Sequence, residues 1–218
     1  MKPRVKTCES LHAARPSVKI CGLMREEDVL LCARHGANML GFVVDYPRDV
    51  PWNLNVQDAI KLIHASPVQS CVVMDGSAEK ILGLAREMRP DFMQLHACGA
   101  ALCGELRKFG VGVIATLSPA LPDLTQAAER LCRAGVHALL LDPRRAAQGG
   151  AADFAGYAKL KAAVDCPVIL AGGLNPENVR QAVEQTNAAA IDLMSGVESS
   201  PGRKDATKVA ALFQALDT

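Results

Sequence analysis

Hydrophobic residues along the chain follow two alternating patterns. Short apolar runs stand at 18–21 (VKIC), 39–44 (MLGFVV), 70–74 (SCVVM), 92–95 (FMQL), 111–117 (VGVIATL), 138–142 (ALLLD), 167–171 (PVILA) and 189–194 (AAIDLM). Their length and Val/Ile/Leu content predict strands. Between and after them apolar residues recur at i, i+3 and i+4, which predicts helices near 26–35, 56–65, 78–88, 99–108, 122–134, 154–163, 176–185 and 204–216. The stretch PENVRQAVEQ carries helix-start chemistry, with Asn175 as the N-cap and Pro176 at the first helical position.

Strands and helices that alternate in this way predict an α/β fold, a single closed (β/α)8 TIM barrel. An open doubly wound sheet is the rival, but it needs two edge strands and all the runs are too apolar for an edge. No break in composition marks a second domain. Residues 1–17 are polar and carry Pro3 and Pro16, so they read as a short N-terminal extension, with the barrel spanning 18–218.

Composition narrows the function. The chain of 218 residues carries 24 basic and 23 acidic residues, a net charge of +1 that supports no nucleic-acid groove and no anionic membrane surface. Aromatic residues make up 4%, too few for base-stacking platforms. A small phosphorylated substrate remains compatible, because backbone amides bind phosphate without net positive charge. The N-terminal stretch lacks the apolar run of a signal peptide, and no segment is apolar for long enough to span a bilayer. The eight cysteines are scattered with no CxxC spacing, which predicts reduced thiols in a cytoplasmic protein, without zinc and without disulfides. Oligomeric state is not encoded in any of these features.

In a barrel of this kind the chemistry sits at the C-terminal ends of the strands. Those ends are Cys21-Gly22, Gln94 to His96, Asp142, Ala171 to Leu174, and Asp192 to Asp205. Gly172 and Gly173 let a phosphate approach the backbone, and the Ser195-Gly196 turn adds amides and a hydroxyl; strands seven and eight are where barrels usually hold phosphate. A tight loop with no ligand is the other reading of the glycine pair. Cys21 and Asp142 form a candidate acid–base pair. Lys19 shares a face with Cys21 by period-2 alternation, which places a cation near the thiol. A strand-end cysteine is also compatible with simple core packing.

The segments KICGLMREED, GFVV, QLH, LLLD, PVILAGGLNPENV and IDLMSGVESSPGRKD, in this order from about 18 to 213, resemble the phosphoribosylanthranilate isomerase family of tryptophan biosynthesis. The resemblance implies a (β/α)8 barrel with no metal and no organic cofactor. It also implies an Amadori rearrangement of an aminoaldose phosphate to a 1-deoxyketose phosphate. Asp142 then matches the general acid that opens the ribose ring, and Cys21 the base that takes the C2′ proton. Gly172, Gly173, Ser195 and Gly196 match the phosphate turns. His96 and Asp192 match positions near the sugar or aryl ring; a strand cap and a structural anchor are their alternative roles.

The sequence departs from the family where SPR usually follows the second strand. Here DYPRDVPWNLN puts Trp52 near the expected arginine and Arg48 four residues before it. Either Arg48 takes over the carboxylate of the substrate, or that partner is missing. Trp52 either stacks on an aromatic ring or fills an apolar gap. After the sixth strand QGGAADFAGY keeps Gly149, Gly150 and Phe154 of a glycine-rich turn. Two alternatives follow: a related barrel isomerase acting on a different aminoaldose phosphate, and a non-catalytic barrel that binds a phosphorylated metabolite.

Overall fold

The computed structural model describes residues 15–96, 98–142 and 153–217. The proposed extension therefore falls outside the described residues except for Arg15, Pro16 and Ser17, as do Gly149 and Gly150.

Eight parallel strands build the barrel: β1 (Ser17–Ile20), β2 (Met39–Val44), β3 (Gln69–Met74), β4 (Phe92–Leu95), β5 (Gly112–Leu117), β6 (Ala138–Leu141), β7 (Val168–Ala171) and β8 (Ala190–Leu193). β1 pairs with β2 on one side (Lys19↔Met39) and with β8 on the other (Lys19↔Asp192), so the barrel closes; a short ninth strand, Asn53–Leu54, pairs with the end of β2. That closure excludes the open sheet. The helices are α1 (Glu26–His35), α2 (Val56–Ala65), α3 (Ala78–Met88), α4 (Ala100–Lys108), α5 (Leu124–Arg133), α6 (Phe154–Ala163), α7 (Val179–Thr186) and α8 (Ala206–Asp217). None among the described residues is long and apolar enough to cross a membrane.

The near-continuous apolar character of the strands follows from burial on both faces. In β2, Leu40, Phe42 and Val44 join the layer under the helices, whereas Val43 faces the barrel mouth. Cys71, Phe92, Ile114, Ala138, Leu140, Ile169 and Ala171 fill the barrel interior. Several helices start at side-chain caps: Asn55, Ser77 and Asp153 accept from the N–H of Asp58, Lys80 and Gly156. α1 stops at Gly36, left-handed with φ 107°.

Three expectations need correction. Asn175 does cap, but it accepts from the N–H of Glu177 and Asn178 in a turn, and α7 itself begins only at Val179. α8 begins at Ala206 and not at 204, because Asp205 accepts from the N–H of Thr207 and Lys208 and sets the helix start. Lys204 instead belongs to a small hairpin in which Glu198–Ser200 pairs with Arg203–Lys204. Finally, Cys132 and Cys166 are joined by a disulfide, S–S 2.13 Å, so the expectation of reduced thiols fails for this pair. Their separation of 34 residues gave no local spacing to read. Cys132 lies in the last turn of α5, which leads into β6, and Cys166 precedes β7, and those two strands are neighbours. Cys21, Cys32, Cys71, Cys98 and Cys103 are free.

Candidate active site

The barrel mouth holds a cavity of about 180 Å³ lined by Cys21, Arg48, His96, Asp142 and Asp192, together with Tyr46, Trp52, Gln94, Met194 and three valines. A second, smaller space of about 30 Å³ is lined by Gly172, Gly173, Ser195 and Gly196. Asp192 and Met194 line both, so the two spaces adjoin. Cys21, Arg48, His96, Asp142, Gly172, Gly173, Asp192, Ser195 and Gly196 thus each line one of two touching cavities. A larger groove of about 630 Å³ lies between α4 and α5, but neither the thiol of Cys21 nor the carboxylate of Asp142 lines it. Cys21 and Asp142 both line the smaller, mouth-facing cavity.

Cys21 sits one residue past β1 and stays in its ladder: its N–H donates to Leu193 O at 2.8 Å. Room for the thiol comes from β2, where a Cβ added at Gly41 would stand 2.7 Å from Cys21 Sγ and 3.0 Å from its Cα. Asp142 likewise extends β6, its N–H donating to Leu117 O at 2.9 Å, and it is buried. β1 and β6 are not neighbours, so the thiol and the carboxylate approach a ligand from different walls.

Beneath them Lys19 donates to Asp192 Oδ1 at 2.8 Å, with both side chains buried. Burial works against the Lys19 ammonium, but the Asp192 carboxylate, with Cys21 and Cys71 nearby, more than offsets it and holds the pKa above the ordinary lysine value. Cys71, also interior, is pushed up to about 12 by burial. It therefore stays a thiol at neutral pH and is no rival nucleophile.

The glycine-rich space is formed by close loop contact. Gly172 and Gly173 have φ 104° and 59°, which glycine adopts without strain. Asn178 Nδ2 donates to Gly173 O at 3.0 Å and its Oδ1 accepts from Asn175 N at 2.9 Å, fixing the turn. At Gly196 any Cβ would collide with the Leu174 carbonyl, so the β8 loop can lie against the β7 loop only with glycine there.

The loop after β2 forms the remaining wall. Asn53 holds the Tyr46 backbone at both groups, accepting from its N–H at 3.0 Å and donating to its C=O at 3.2 Å. Lys80 of α3 reaches Asp45 at 2.8 Å. Tyr46 Oη lies 3.4 Å from His96 Nδ1, and the two rings meet edge to face at 5.5 Å. Trp52 is half-buried and packs with Tyr46 and Val50 against Cys21, Val43 and Val73; Arg48 is exposed at the rim.

Two polar lining residues, Tyr46 and Gln94, are not singled out by the sequence as site residues. Tyr46 carries no local signal beyond its place after a strand. Gln94 does: it is a polar residue in the apolar run FMQL, on the same strand face as the interior Phe92. It is 4% exposed, and its Oε1 has no hydrogen-bond partner. Among the described residues no cluster of three or more His, Cys, Asp or Glu side chains could hold a metal ion.

The fold is that of a (β/α)8-barrel enzyme, with a cavity at the strand C-termini beside glycine-rich turns. The family model for N-(5′-phosphoribosyl)anthranilate isomerase matches residues 18–215. The N-(5′-phosphoribosyl)anthranilate isomerase of Haloferax volcanii is 38% identical over 209 residues, covering 92% of this chain and 93% of the relative. That of Methanopyrus kandleri is 36% identical over 214 residues, covering 91% and 97%. Among solved structures, phosphoribosylanthranilate isomerase from Thermus thermophilus superposes with a TM-score of 0.79 at 34% identity, covering 92% of this chain and 98% of that one. A second was solved in complex with reduced 1-(o-carboxyphenylamino)-1-deoxyribulose 5-phosphate, with TM-score 0.77, 29% identity and coverage of 93% and 98%. The chain belongs to the N-(5′-phosphoribosyl)anthranilate isomerase family, and it is an isomerase.

Proposed function

We propose that the protein converts N-(5-phosphoribosyl)anthranilate to 1-(2-carboxyphenylamino)-1-deoxyribulose 5-phosphate, the Amadori step of tryptophan biosynthesis, with Cys21 and Asp142 moving the protons. The observation that carries the assignment of roles is the placement of thiol and carboxylate on separate walls of one cavity that adjoins the glycine cradle. Asp142 donates a proton to the ribose ring oxygen, the C1′–O bond breaks, and the electron pair on nitrogen forms the iminium. The Cys21 thiolate then takes the proton from C2′, and the electrons of that bond move to give the enolamine, which tautomerises to the ketone. One proton enters and one leaves, so the reaction is a net isomerisation.

The phosphate would rest on the amides around Gly172, Gly173, Ser195 and Gly196, while Asp192 and His96 face the sugar and Arg48 or Trp52 the aryl end. A cytoplasmic location belongs to the same reading, in keeping with free thiols at Cys21, Cys32, Cys71, Cys98 and Cys103, while the Cys132–Cys166 bridge is the observation that stands against it. We also read the residues ahead of β1 as an extension of the barrel, supported by a family match that starts at residue 18; the strand takes in Ser17, one residue earlier than the sequence predicts. Incubation of purified protein with phosphoribosylanthranilate, followed by product analysis, tests the assignment. Turnover of this substrate above that of aminoaldose phosphates with other aryl groups is expected; preference for another aryl group would overturn the substrate.

A further inference from the structure

A fully buried ammonium joins the two halves of the site. The side chain of Lys204 has 0% exposure. Its Nζ donates to Cys21 O at 2.6 Å, to Glu198 Oε1 at 2.9 Å and to Met194 O at 3.3 Å. A lysine ammonium has three protons to donate, so it is saturated. Glu198 Oε1 also accepts from Gly202 N at 3.2 Å, and Asp28 Oδ2 accepts from Lys204 N at 3.2 Å. The charge is therefore both neutralised and hydrogen-bonded, as a buried ion requires.

The identity of the two carbonyls gives this cluster its meaning. One belongs to Cys21, the residue read as the base. The other belongs to Met194, the residue immediately before the Ser195-Gly196 turn of the anion cradle. The last ladder bond between the two segments runs from Cys21 N–H to Leu193 O at 2.8 Å, and the ammonium adds the next tie, holding Cys21 O and Met194 O one residue further on. In the substrate the C2′ carbon and the 5-phosphate belong to one sugar. Once the phosphate is seated, the distance from cradle to base decides whether the thiolate meets the C2′ proton. Displacement of a reacting group by about 1 Å can cost on the order of 100-fold in rate.

We propose that Lys204 is a positioning residue that sets the distance between the base at Cys21 and the phosphate cradle. The inference rests on Cys21 being the base, and the test separates the two claims. Lys204→Met keeps an unbranched side chain and removes the ammonium. Lys204→Met/Glu198→Gln also removes the carboxylate that would be left unpaired, which favours folding of the second variant. For whichever variant folds by circular dichroism, kcat should fall roughly 10- to 100-fold while inhibition by inorganic phosphate stays within about twofold of native. A general loss of structure would weaken phosphate inhibition as well.

Comparison with Cys21→Ser distinguishes the failures. If Cys21→Ser is inactive but a folded Lys204 variant keeps kcat within about threefold of native, the positioning role is overturned and the base stands. If Cys21→Ser turns over normally, the base assignment fails and the positioning role fails with it. If neither Lys204 variant folds, Lys204 is a stability residue and the positioning role is overturned.

Discussion

Lys19 Nζ and Asp192 Oδ1 stand 2.8 Å apart inside the barrel, with 4% and 5% of their side chains exposed. The pair bridges neighbouring strands in direct register, Lys19 opposite Asp192. It lies where a barrel would otherwise be filled by branched apolar residues. Such a pair is weak support for stability when compared with an apolar substitute, but breaking it strands a charge.

Lys19→Met should therefore destabilise the protein by roughly 3–5 kcal/mol at pH 7, whereas Lys19→Met/Asp192→Leu should recover most of that loss. The sign of the pH dependence follows from the raised Lys19 value. An unfolded lysine gives up its proton near 10.5 while the folded one keeps it, so the contribution is complete below that pH and is lost as pH rises above it. Denaturant titrations across the alkaline range should show a native curve that falls more steeply than that of the double variant. Parallel curves would remove Lys19 from the account.

Gly41 tests the space around the thiol. Alanine there would place Cβ 2.7 Å from Cys21 Sγ and 3.0 Å from Cys21 Cα, so the thiol must move. Gly41→Ala should lower kcat by about 100-fold at most, with phosphate inhibition retained, because the cradle lies on other strands. Unchanged kcat would show that the thiol position is not critical.

Much of this arrangement could be read before the structure was seen. Length and alternation of apolar runs identify every barrel strand, because strands buried on both faces leave an unmistakable Val/Ile/Leu signature. Cys21, Asp142 and the glycine pair are legible as candidates because strand ends are where a barrel keeps its chemistry. What escaped depends on contacts between distant segments. Lys204 looked like the start of the last helix, yet its ammonium bonds to a carbonyl 183 residues away. The role of Gly41 needs the register of β1 against β2, and the Cys132–Cys166 bridge needs two loops brought together at adjoining strands. Gln94 carries a signal, polarity at an inward strand position two residues before His96.

Gln94 offers a prediction in which stability and activity part company. Its buried Oε1 has no partner, and an unsatisfied buried acceptor costs about 1–3 kcal/mol. Gln94→Met should leave the ligand-free protein as stable as native or more so. If the oxygen accepts from an N–H or O–H of the substrate, kcat/KM should nonetheless fall about tenfold or more, a loss typical of one hydrogen bond. Equal kcat/KM in the two proteins would leave Gln94 without a substrate role.

The loop after β2 lines the wall that the proposed reading gives to the aryl end. Arg48 at the rim is the cation nearest in sequence to a substrate carboxylate, and Trp52 forms the adjoining wall. Arg48→Ala should raise KM for phosphoribosylanthranilate more than for the analogue lacking the carboxylate, by a differential of about 1.5–3 kcal/mol. Trp52→Ala should weaken both aryl compounds alike and spare inorganic phosphate if the ring stacks on substrate. Lower thermal stability with unchanged KM would instead assign Trp52 to packing.

The central claim is that Cys21 and Asp142 carry the two proton transfers, and the most direct measurement is single-enzyme turnover of phosphoribosylanthranilate by Cys21→Ser beside the native protein. A serine hydroxyl has nearly the size of the thiol but not its acidity. The account predicts that kcat falls by about 10²–10⁴-fold while the affinity for inorganic phosphate is preserved, with Asp142→Asn showing the same split. Near-native turnover by Cys21→Ser would contradict it and return the thiol to a packing role at the barrel mouth.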